Sequence, residues 1–301
     1  MEHFLKSSEN LESSFEVVDT TYEHPYKDNR RPIGRIIVTR DGRIQNNLTL
    51  CIKGVDDPTK VKSEYNLSGS KLFAMMSPCP DPSMKSRRQR DVIYISAPSG
   101  SGKSTWAGQY ARAWQDEFKS KLLEKALPKN EIDNCGMGRV IIFSAVNEDP
   151  AFEGVNLKRV LFAHLVDSFG DPNDCITIEN LSDSLVIFDD IDVIANKKLR
   201  LWIQELRNRC LEIGRHHNIS LICTTHQLMN YKETKILLME ATKVVFFPTS
   251  GAGAQIKRYL KAYADLSQQQ IKHVFSLKSR WVMINKANPQ YIMHASGAYL
   301  L

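Results

Sequence analysis

DVIYISAPSGSGKST, at residues 91–105, is the most informative stretch of this sequence. It begins with an apolar run at 92–95, which is typical of a buried β-strand, and continues into a loop of small residues at 97–102. A long amphipathic helical pattern starts at Lys103. A strand, a glycine-rich loop and a helix in this order are the structural context of a phosphate-binding P-loop. The stretch therefore predicts a binding site for a nucleoside triphosphate.

The loop residues have separate predicted roles in holding a triphosphate. Glycine lets successive backbone N–H groups converge on one point, and the following helix directs its positive end to the same point. Lys103 is expected to reach the β- and γ-phosphates, and the Ser104 hydroxyl is expected to bind Mg²⁺. The predicted nucleotide-binding residues are Pro98, Ser99, Gly100, Ser101, Gly102, Lys103, Ser104 and Thr105.

Ala97 departs from the strict pattern GxxxxGK[ST], which has glycine at this position. The residue lies at the end of the strand, before the phosphate cradle. A methyl group is therefore expected to matter less here than at Gly102. The alternative is a chance loop that contains a lysine, which the correct strand and helix on either side disfavour.

The composition is ordinary for a globular protein. The 301 residues are 42% hydrophobic and 25% charged, which allows a large core and about two domains. No apolar run approaches the roughly 18 residues of a membrane span, and the polar N-terminus lacks the apolar centre of a signal peptide. We therefore expect no membrane span and no secretion. The net charge of +6 permits a polyanionic partner without requiring one.

The six cysteines form no C-x-x-C pair, and no paired histidines have the spacing of a zinc site. Adjacent His216 and His217 would point apart on a helix or a turn. We expect reduced thiols in a cytosol-like compartment, and no metal other than nucleotide-bound Mg²⁺.

Three regions are predicted along the chain. Residues 1–30 are expected to form a polar arm, and residues 31–84 a small β-rich subdomain with a proline-punctuated linker. Residues 85–301 are expected to form a P-loop ATPase domain that ends in a β-hairpin. The basic run at 85–90 enters this domain either as a solvated linker or as a contact to nucleic-acid phosphates.

Apolar strands alternate with helical patterns after the P-loop, which predicts an α/β fold with a mostly parallel sheet flanked by helices. Aromatic residues spaced by four along the first helix indicate a face packed on the sheet rather than a platform for stacking bases. The predicted helices are 103–127, 156–169, 196–214, 251–263 and 267–275, and the predicted strands are 139–146, 175–179, 185–188, 219–226, 243–248, 280–285 and 290–294.

The apolar strand at 185–188 runs directly into two carboxylates. It would bring Asp189 to the carboxyl edge of the sheet, where Asp189 can hold the water shell of Mg²⁺ opposite Ser104. Asp190 follows, where it can orient and deprotonate an attacking water. Apolar strands that end in aspartate are frequent, but a P-loop about 85 residues upstream makes this pair a specific indication of hydrolysis.

Gln227 stands at the tip of the predicted strand 219–226. An amide at that position can sense the γ-phosphate and position water. A simple polar cap on the strand is the alternative interpretation.

These motifs together resemble the FtsK–HerA superfamily of DNA-pumping ATPases, and especially the poxvirus-type genome-packaging ATPases of large DNA viruses. The resemblance spans roughly residues 90–295. It implies a RecA/FtsK-like P-loop fold, ATP and Mg²⁺ as cofactors, and a homo-oligomeric ring that moves double-stranded DNA into a capsid. The segments that carry it are 97–105, 185–190, 214–218 leading to Gln227, and Arg280-Trp281 leading to Gln290.

The resemblance also implies site roles, because the family motifs match position by position. Members often have glutamate where this chain has Asp190, whose side chain is shorter by about one bond length. Glu148, after the predicted strand 139–146, is the second candidate for the base. The nucleotide, metal and sensor roles fall on Lys103, Ser104, Asp189 and Gln227.

A ring would complete each site with an arginine from the neighbouring subunit, which stabilises the charge of the transition state. Arg215 is the first candidate, because its turn is expected near the active edge of the sheet. A cation that stabilises the C-terminus of the preceding helix is the equal alternative for Arg215. Other candidates for this role are Arg200, Arg207 and Arg258.

A packaging motor is the leading functional hypothesis. Its expected partners are capsid or other virion proteins. Its expected locations are viral factories in the host-cell cytoplasm and the virion. One alternative is a P-loop kinase or another nucleotide-processing enzyme, which the lack of an arginine-rich lid pattern disfavours. Another is a HerA-like translocase or helicase outside packaging. A non-catalytic nucleotide-gated scaffold is disfavoured by the intact P-loop and aspartate pair.

Overall fold

The computed structural model describes residues 15–19, 30–40, 43–53, 64–66, 71–76, 90–124, 139–168, 176–287, 290–295 and 297–300. Its strands are β1 (Phe15–Asp19), β2 (Arg30–Arg40), β3 (Arg43–Lys53), β4 (Glu64–Asn66), β5 (Lys71–Met76), β6 (Val92–Ser96), β7 (Arg139–Ser144), β8 (Leu157–Leu161), β9 (Ser184–Phe188), β10 (Ser220–Thr225), β11 (Lys243–Phe246), β12 (Val282–Asn285), β13 (Tyr291–His294) and β14 (Gly297–Leu300). Its α-helices are α1 (Lys103–Glu124), α2 (Leu165–Ser168), α3 (Lys197–Ile213), α4 (Tyr231–Glu240), α5 (Gly253–Tyr263) and α6 (Gln268–Ser276).

One large sheet has the strand order β4-β14-β13-β12-β11-β6-β10-β9-β7-β8. The strands from β11 to β8 in this order are parallel, and those from β12 to β4 add antiparallel pairs at one side. The predicted α/β fold with a mostly parallel sheet is confirmed, as is the hairpin of β12 and β13. β10 lies between β6 and β9, so the P-loop strand and the Asp189–Asp190 strand are not neighbours.

Both faces of the parallel sheet are covered, because its strands are apolar on both sides. In β6, Val92 and Tyr94 belong to one core cluster while Ile93 and Ile95 belong to the other. The first cluster includes side chains of α3, α4, α5 and α6, and the second includes side chains of α1. This three-layer arrangement explains the continuous apolar runs of the sequence.

Helix α1 uses its aromatic residues for packing, as predicted. Trp106 and Tyr110 are buried, and their rings stack with centroids 5.8 Å apart. Trp281, at the start of β12, meets Trp106 edge-on at 6.1 Å. The side chains of Phe118 and Leu122, which continue the predicted stripe, lie outside the described residues.

A second, antiparallel sheet has the order β1-β3-β2-β5. β1 lies within residues 1–30, where no strand was predicted, and pairs with β3 from Phe15 opposite Ile52. β4 precedes β5 in the chain but does not join this sheet; it pairs with β14 in the large sheet. The proposed boundaries of the arm, the β-rich subdomain and the ATPase domain stay a prediction.

Two predicted elements are wrong. The first part of the predicted helix 156–169 is strand β8, followed by a 3₁₀ turn at Phe162–His164 and the short helix α2. Apolar residues three and four apart suggested a helix there, but pairing with β7 prevails over local periodicity. The predicted strand 175–179 is replaced, in its described part, by a 3₁₀ turn at Glu179–Leu181. Helix α4 was not predicted.

Arg90, the last residue of the basic run, stabilises the end of α3. Its guanidinium donates hydrogen bonds to the carbonyl oxygen of Cys210 at 2.6 Å and to that of Leu211. Both carbonyls belong to the last turn of α3, and that of Cys210 also accepts the Gly214 N–H at 3.1 Å. Arg90 therefore fits neither of the two alternatives for the basic run, a solvated linker or a phosphate contact, and burial lowers its pKa. Residues 85–89 lie outside the described residues.

Gly214 caps the C-terminus of α3. Glycine is needed here because a side chain would collide with neighbouring atoms, and not because the backbone is left-handed. Its φ is −57°, a value that any residue adopts. A Cβ atom at this position would lie 2.2 Å from the Cys210 carbonyl oxygen and 2.5 Å from Arg90 Nη1.

A buried ion pair joins the start of β6 to β11. Asp91 and Lys243 are 3% and 2% exposed, and the Lys243 ammonium contacts Asp91 Oδ1. The Tyr110 hydroxyl from α1 donates a hydrogen bond to Asp91 Oδ2. One carboxylate thus ties two neighbouring strands to the helix that follows the P-loop.

We expect Lys243→Met to lower the free energy of unfolding by about 3–5 kcal/mol, because Asp91 would stay buried without its cation. Urea denaturation followed by circular dichroism measures this loss. The double variant Asp91→Asn/Lys243→Met removes both charges and should recover most of the stability. An equal loss in both variants would contradict the importance of the charge pair.

Candidate functional site

The candidate site lies at the carboxyl edge of the parallel strands β6, β10 and β9. The P-loop follows β6, and the Asp189–Asp190 pair follows β9. With β10 between them, the two strand ends are separated by about 10 Å, twice the usual strand spacing. The tip of β10 is therefore placed between the lysine of the P-loop and the two carboxylates.

The P-loop has a backbone conformation that its glycines make accessible. Gly100 and Gly102 have φ values of +75° and +109°, in the region that side chains disfavour. The Trp106 N–H donates to the Gly102 carbonyl at 3.0 Å, which continues the loop into α1. The outermost residues, Ser99 and Gly100, are exposed.

Ala97 is accommodated by the core below the loop. Its side chain is 1% exposed and belongs to the apolar cluster under α1. Its N–H donates to the Thr225 carbonyl at 3.2 Å, and its carbonyl accepts a bond from the Lys103 ammonium at 2.9 Å. The departure from glycine thus places a methyl group in the core and leaves both backbone groups of Ala97 bonded.

Lys103 brings the P-loop and the aspartate pair together. Its buried Nζ lies 3.6 Å from Asp190 Oδ2 and 3.3 Å from His226 Nδ1. His226 Nε2 in turn lies 3.1 Å from the same Asp190 oxygen. Lysine, histidine and aspartate therefore form a closed triangle of contacts at the sheet edge.

These contacts indicate one tautomer of His226. An ammonium group only donates hydrogen bonds, so Nδ1 must accept from Lys103. The proton of the neutral ring then resides on Nε2, which donates to Asp190. Sequence analysis did not predict His226 as a site residue. Its only signal was its position beside Gln227 at the end of a buried strand.

Thr224 of β10 fixes both carboxylates. Its hydroxyl lies 2.8 Å from Asp189 Oδ1 and 3.1 Å from Asp190 Oδ1, and it accepts the Asp190 N–H at 3.0 Å. The Ser144 hydroxyl of β7 donates to the other Asp189 oxygen at 3.3 Å. Asp190 adopts a left-handed backbone with φ 44° and ψ 56°, which is uncommon for residues other than glycine and is tolerated by aspartate.

Burial raises the pKa of Asp189, and the neighbouring Asp190 carboxylate raises it further. The hydroxyl groups of Thr224 and Ser144 oppose this shift by stabilising the charged form. A carboxylate in this situation gains stability from a nearby cation.

The residues present fit a Mg²⁺ ion. Mg²⁺ prefers hard oxygen ligands and usually combines one or two carboxylates with waters and substrate phosphates. Asp189 supplies a carboxylate at the end of β9, and Ser104 supplies a half-buried hydroxyl in the first turn of α1. The strand spacing between them leaves room for waters and a phosphate oxygen.

Gln227 and Glu148 have no side-chain contact with Lys103 among those described, whereas His226 and Asp190 do. The backbone carbonyl of Gln227 accepts hydrogen bonds from the Tyr94 hydroxyl at 2.7 Å and the Thr225 hydroxyl at 2.9 Å, and the residue is exposed. Glu148 is exposed beyond β7, where it lines a separate cavity of about 400 Å³. The sensor role of Gln227 and the reserve role of Glu148 stay predictions.

Arg215 does not lie where it was expected. Its turn precedes β10, so it lies at the amino edge of the sheet, about 20 Å along the strand from the P-loop edge. The placement near the active edge of its own subunit is wrong, and a contact with a neighbouring subunit stays a prediction. Arg207 is 4% exposed and bonds Asn208, which removes it as a candidate for reaching another subunit.

Arg280 contacts the outer side of the P-loop. Its Nε donates to the Ser101 carbonyl at 3.0 Å, and its Nη2 donates to the Gly100 carbonyl at 3.3 Å. Together with residues 98–101, Phe247, Thr249 and Ser250, it lines a cavity of about 410 Å³. In a trans peptide the N–H points away from the carbonyl. Because these carbonyls face Arg280, the N–H groups of the same peptides face the opposite side, where a phosphate can accept from them.

The sequence has a clear relative in a virus-associated element. The uncharacterized protein V3 of the Sputnik virophage is 37% identical over 222 residues, which cover 70% of this chain and 78% of V3. The chain belongs to the V3 family. No protein-family model matches it.

Several solved structures are more distantly similar to the V3-family chain. The DNA-packaging ATPase B204 of Sulfolobus turreted icosahedral virus has 17% identity and a TM-score of 0.41 over 68% of this chain and 97% of B204. The conjugation coupling protein TcpA of pCW3 has 13% identity and a TM-score of 0.40 over 87% and 77% of the respective chains. The secretion ATPase EccC of Thermomonospora curvata has 10% identity and a TM-score of 0.42 over 80% and 31%. The fold assignment rests on the strand order and the P-loop of the chain itself.

Among the residues that the structure describes, no helix has the length and apolar content that crossing a membrane requires.

We expect Arg280→Ala to weaken nucleotide affinity about 5- to 30-fold, since two hydrogen bonds that hold the loop are worth roughly 1–2 kcal/mol. Titration with a fluorescent ATP analogue measures the dissociation constant. Lys278→Ala, an exposed cation two residues away, is the matched control and should leave it unchanged. Equal affinities in wild type and Arg280→Ala would show that the loop keeps its shape without Arg280.

Proposed function

We propose that this chain is an ATP-hydrolysing motor that moves double-stranded viral DNA into a capsid during virion assembly. The proposal of ATP hydrolysis is supported by the contact of Lys103 with Asp190 and His226. It brings the predicted phosphate-binding lysine to within 3.6 Å of the predicted catalytic carboxylate, although 86 residues separate them in the sequence.

ATP and Mg²⁺ are the proposed cofactors. The backbone N–H groups between Ser99 and Thr105 would hold the phosphates, and the positive end of α1 would favour their charge. Ser104 and Asp189 would hold the metal, whose chemistry is to neutralise charge on the β- and γ-phosphate oxygens.

Lys103 must change partners when the phosphates bind. Its ammonium now contacts the Ala97 carbonyl, His226 and Asp190, all at the base of the site. The triphosphate offers more negative charge than one carboxylate, so it would draw the ammonium upward to the β- and γ-phosphates. Asp190 would then lose a cation and be left to act on the attacking water.

The motor part of the proposal draws on the motif resemblance and on kinship with a virophage protein. The motifs at 97–105, 185–190 and 214–218 leading to Gln227, with the Arg280-Trp281 tail, resemble those of ring-shaped DNA-pumping ATPases. A homo-oligomeric ring around duplex DNA is the proposed working form, and capsid or other virion proteins are the proposed partners. The proposed location is the viral factory in the host cytoplasm, and then the virion.

Contacts between such a ring and DNA should be made mainly to phosphates. The net charge of +6 suits a polyanion, and no base-reading motif was found in the sequence. Binding should therefore weaken steeply as salt concentration rises.

The test is the rate of ATP hydrolysis by purified protein with and without linear duplex DNA. We expect DNA to stimulate the rate, and Lys103→Ala to abolish hydrolysis because the γ-phosphate loses its lysine. Lys278→Ala is again the matched lysine control. Turnover that survives in Lys103→Ala would disprove the P-loop assignment. Activity that needs a small-molecule acceptor instead of DNA would indicate a kinase, and translocation on DNA without capsids would indicate a helicase-like role.

We expect Arg215→Ala to leave nucleotide binding intact and to reduce turnover about 10³-fold if Arg215 completes a neighbouring site. Mixed rings separate this role from a structural one. Arg215→Ala subunits keep a complete P-loop, and Lys103→Ala subunits keep Arg215, so co-assembly should restore part of the activity. An unchanged rate in Arg215→Ala would leave Arg200 and Arg258 as candidates.

A further inference from the structure

We propose that His226 removes the proton from the attacking water, and that Asp190 acts by orienting the imidazole. The inference rests on the proposed ATPase function and assigns its proton transfer to a different residue. It follows from the contacts of Asp190, the position of Nδ1 and the exposure of the ring.

The two oxygens of Asp190 face different neighbours. Oδ2 lies 3.1 Å from His226 Nε2, and Oδ1 lies 3.1 Å from the Thr224 hydroxyl, whose single proton is shared with Asp189 Oδ1 at 2.8 Å. The left-handed backbone of Asp190 and its N–H bond to Thr224 fix the carboxylate further. A carboxylate held in this way is suited to fixing the tautomer and orientation of an imidazole, as the aspartate of a catalytic triad does.

Nδ1 of His226 is placed to accept a proton from the nucleotide side. It now accepts from Lys103 Nζ at 3.3 Å, so its lone pair faces the lysine that would bind the phosphates. Movement of Lys103 to the phosphates would free this lone pair, while the bond from Nε2 to Asp190 would persist. Binding of the triphosphate would therefore also free Nδ1 of His226 to accept a proton.

The imidazole also compensates for the short side chain of Asp190. A glutamate at this position would reach farther toward the γ-phosphate by about one bond length. The ring of His226 extends from Asp190 by more than that distance, and its side chain is 38% exposed against 22% for Asp190. Water can therefore contact the ring more readily than the carboxylate.

The proposed step is balanced without any further reactant. The water oxygen forms a bond to the γ-phosphorus while one of its protons passes to Nδ1 of His226. The bond from the γ-phosphorus to the bridging oxygen breaks, and its electron pair leaves with ADP. The imidazolium, stabilised by Asp190, then returns its proton to the solvent.

His226→Gln separates base chemistry from positioning. The glutamine amide nitrogen takes the position of Nε2 and can still donate a hydrogen bond to Asp190, but it is not basic. We expect turnover at saturating ATP to fall about 100- to 1,000-fold, within the usual contribution of general base catalysis. The dissociation constant for a non-hydrolysable ATP analogue should stay within about twofold of wild type. His216→Gln, an exposed histidine in the turn before β10, is the matched control.

His226→Ala adds a second measurement, rescue by imidazole, which should fail if His226 had only a structural role. It removes the ring and leaves a partly exposed space, so imidazole added to the buffer should restore hydrolysis in a concentration-dependent way. Imidazole should not stimulate His226→Gln, whose side chain fills the space, or Lys103→Ala. Rescue also shows that the variant is folded.

Two results would overturn the inference. One is wild-type turnover in His226→Gln, and the other is a loss in His226→Ala that imidazole does not restore. In either case, an inactive Lys103→Ala would leave the proposed ATPase function in place. An active Lys103→Ala would instead refute the proposed function itself.

Discussion

The position of β10 between β6 and β9 is the constraint on which the candidate site depends. Parallel strands expose their carboxyl ends at one edge, so this order brings the residues after three separate strands together. Thr224 and His226 then act from the middle: the threonine hydroxyl holds both carboxylates, and the imidazole links Asp190 to Lys103. If β6 and β9 were direct neighbours, Lys103 and Asp190 would meet without a residue between them. The inserted strand instead brings a third side chain, His226, into contact with both.

The charged groups of this site compensate one another. Lys103 is 6% exposed, and a buried ammonium group needs compensation, which the Ala97 carbonyl, His226 and Asp190 provide. A triphosphate that binds Lys103 would replace this set of partners. The contacts that Lys103 gives up would therefore reduce the free energy of binding.

The parts of the site that the sequence predicted are those that local pattern specifies. A P-loop needs glycines at fixed offsets between a strand and a helix, and the aspartate pair needs only the end of an apolar strand, so Lys103 and Asp189 could be assigned directly. His226 could not, because its role depends on which strand lies beside which. Arg215 was misplaced since a turn before a strand lies at the opposite edge from a turn after it. Strand β8 was missed because its apolar spacing fits a helix equally well, and only pairing with β7 distinguishes the two.

The P-loop is held from two sides by contacts with the rest of the fold. On the inner side, Ala97 bonds to β10 through the Thr225 carbonyl and places its methyl group in the core. On the outer side, Arg280 bonds the carbonyls of Gly100 and Ser101 from the start of β12. Trp281 then packs edge-on against Trp106 of α1, so the same segment contacts both the loop and the helix after it. A loop fixed in this way loses little conformational entropy on binding. The structural response to a nucleotide should therefore be concentrated in the Lys103 side chain and its partners, rather than in the backbone that cradles the phosphates.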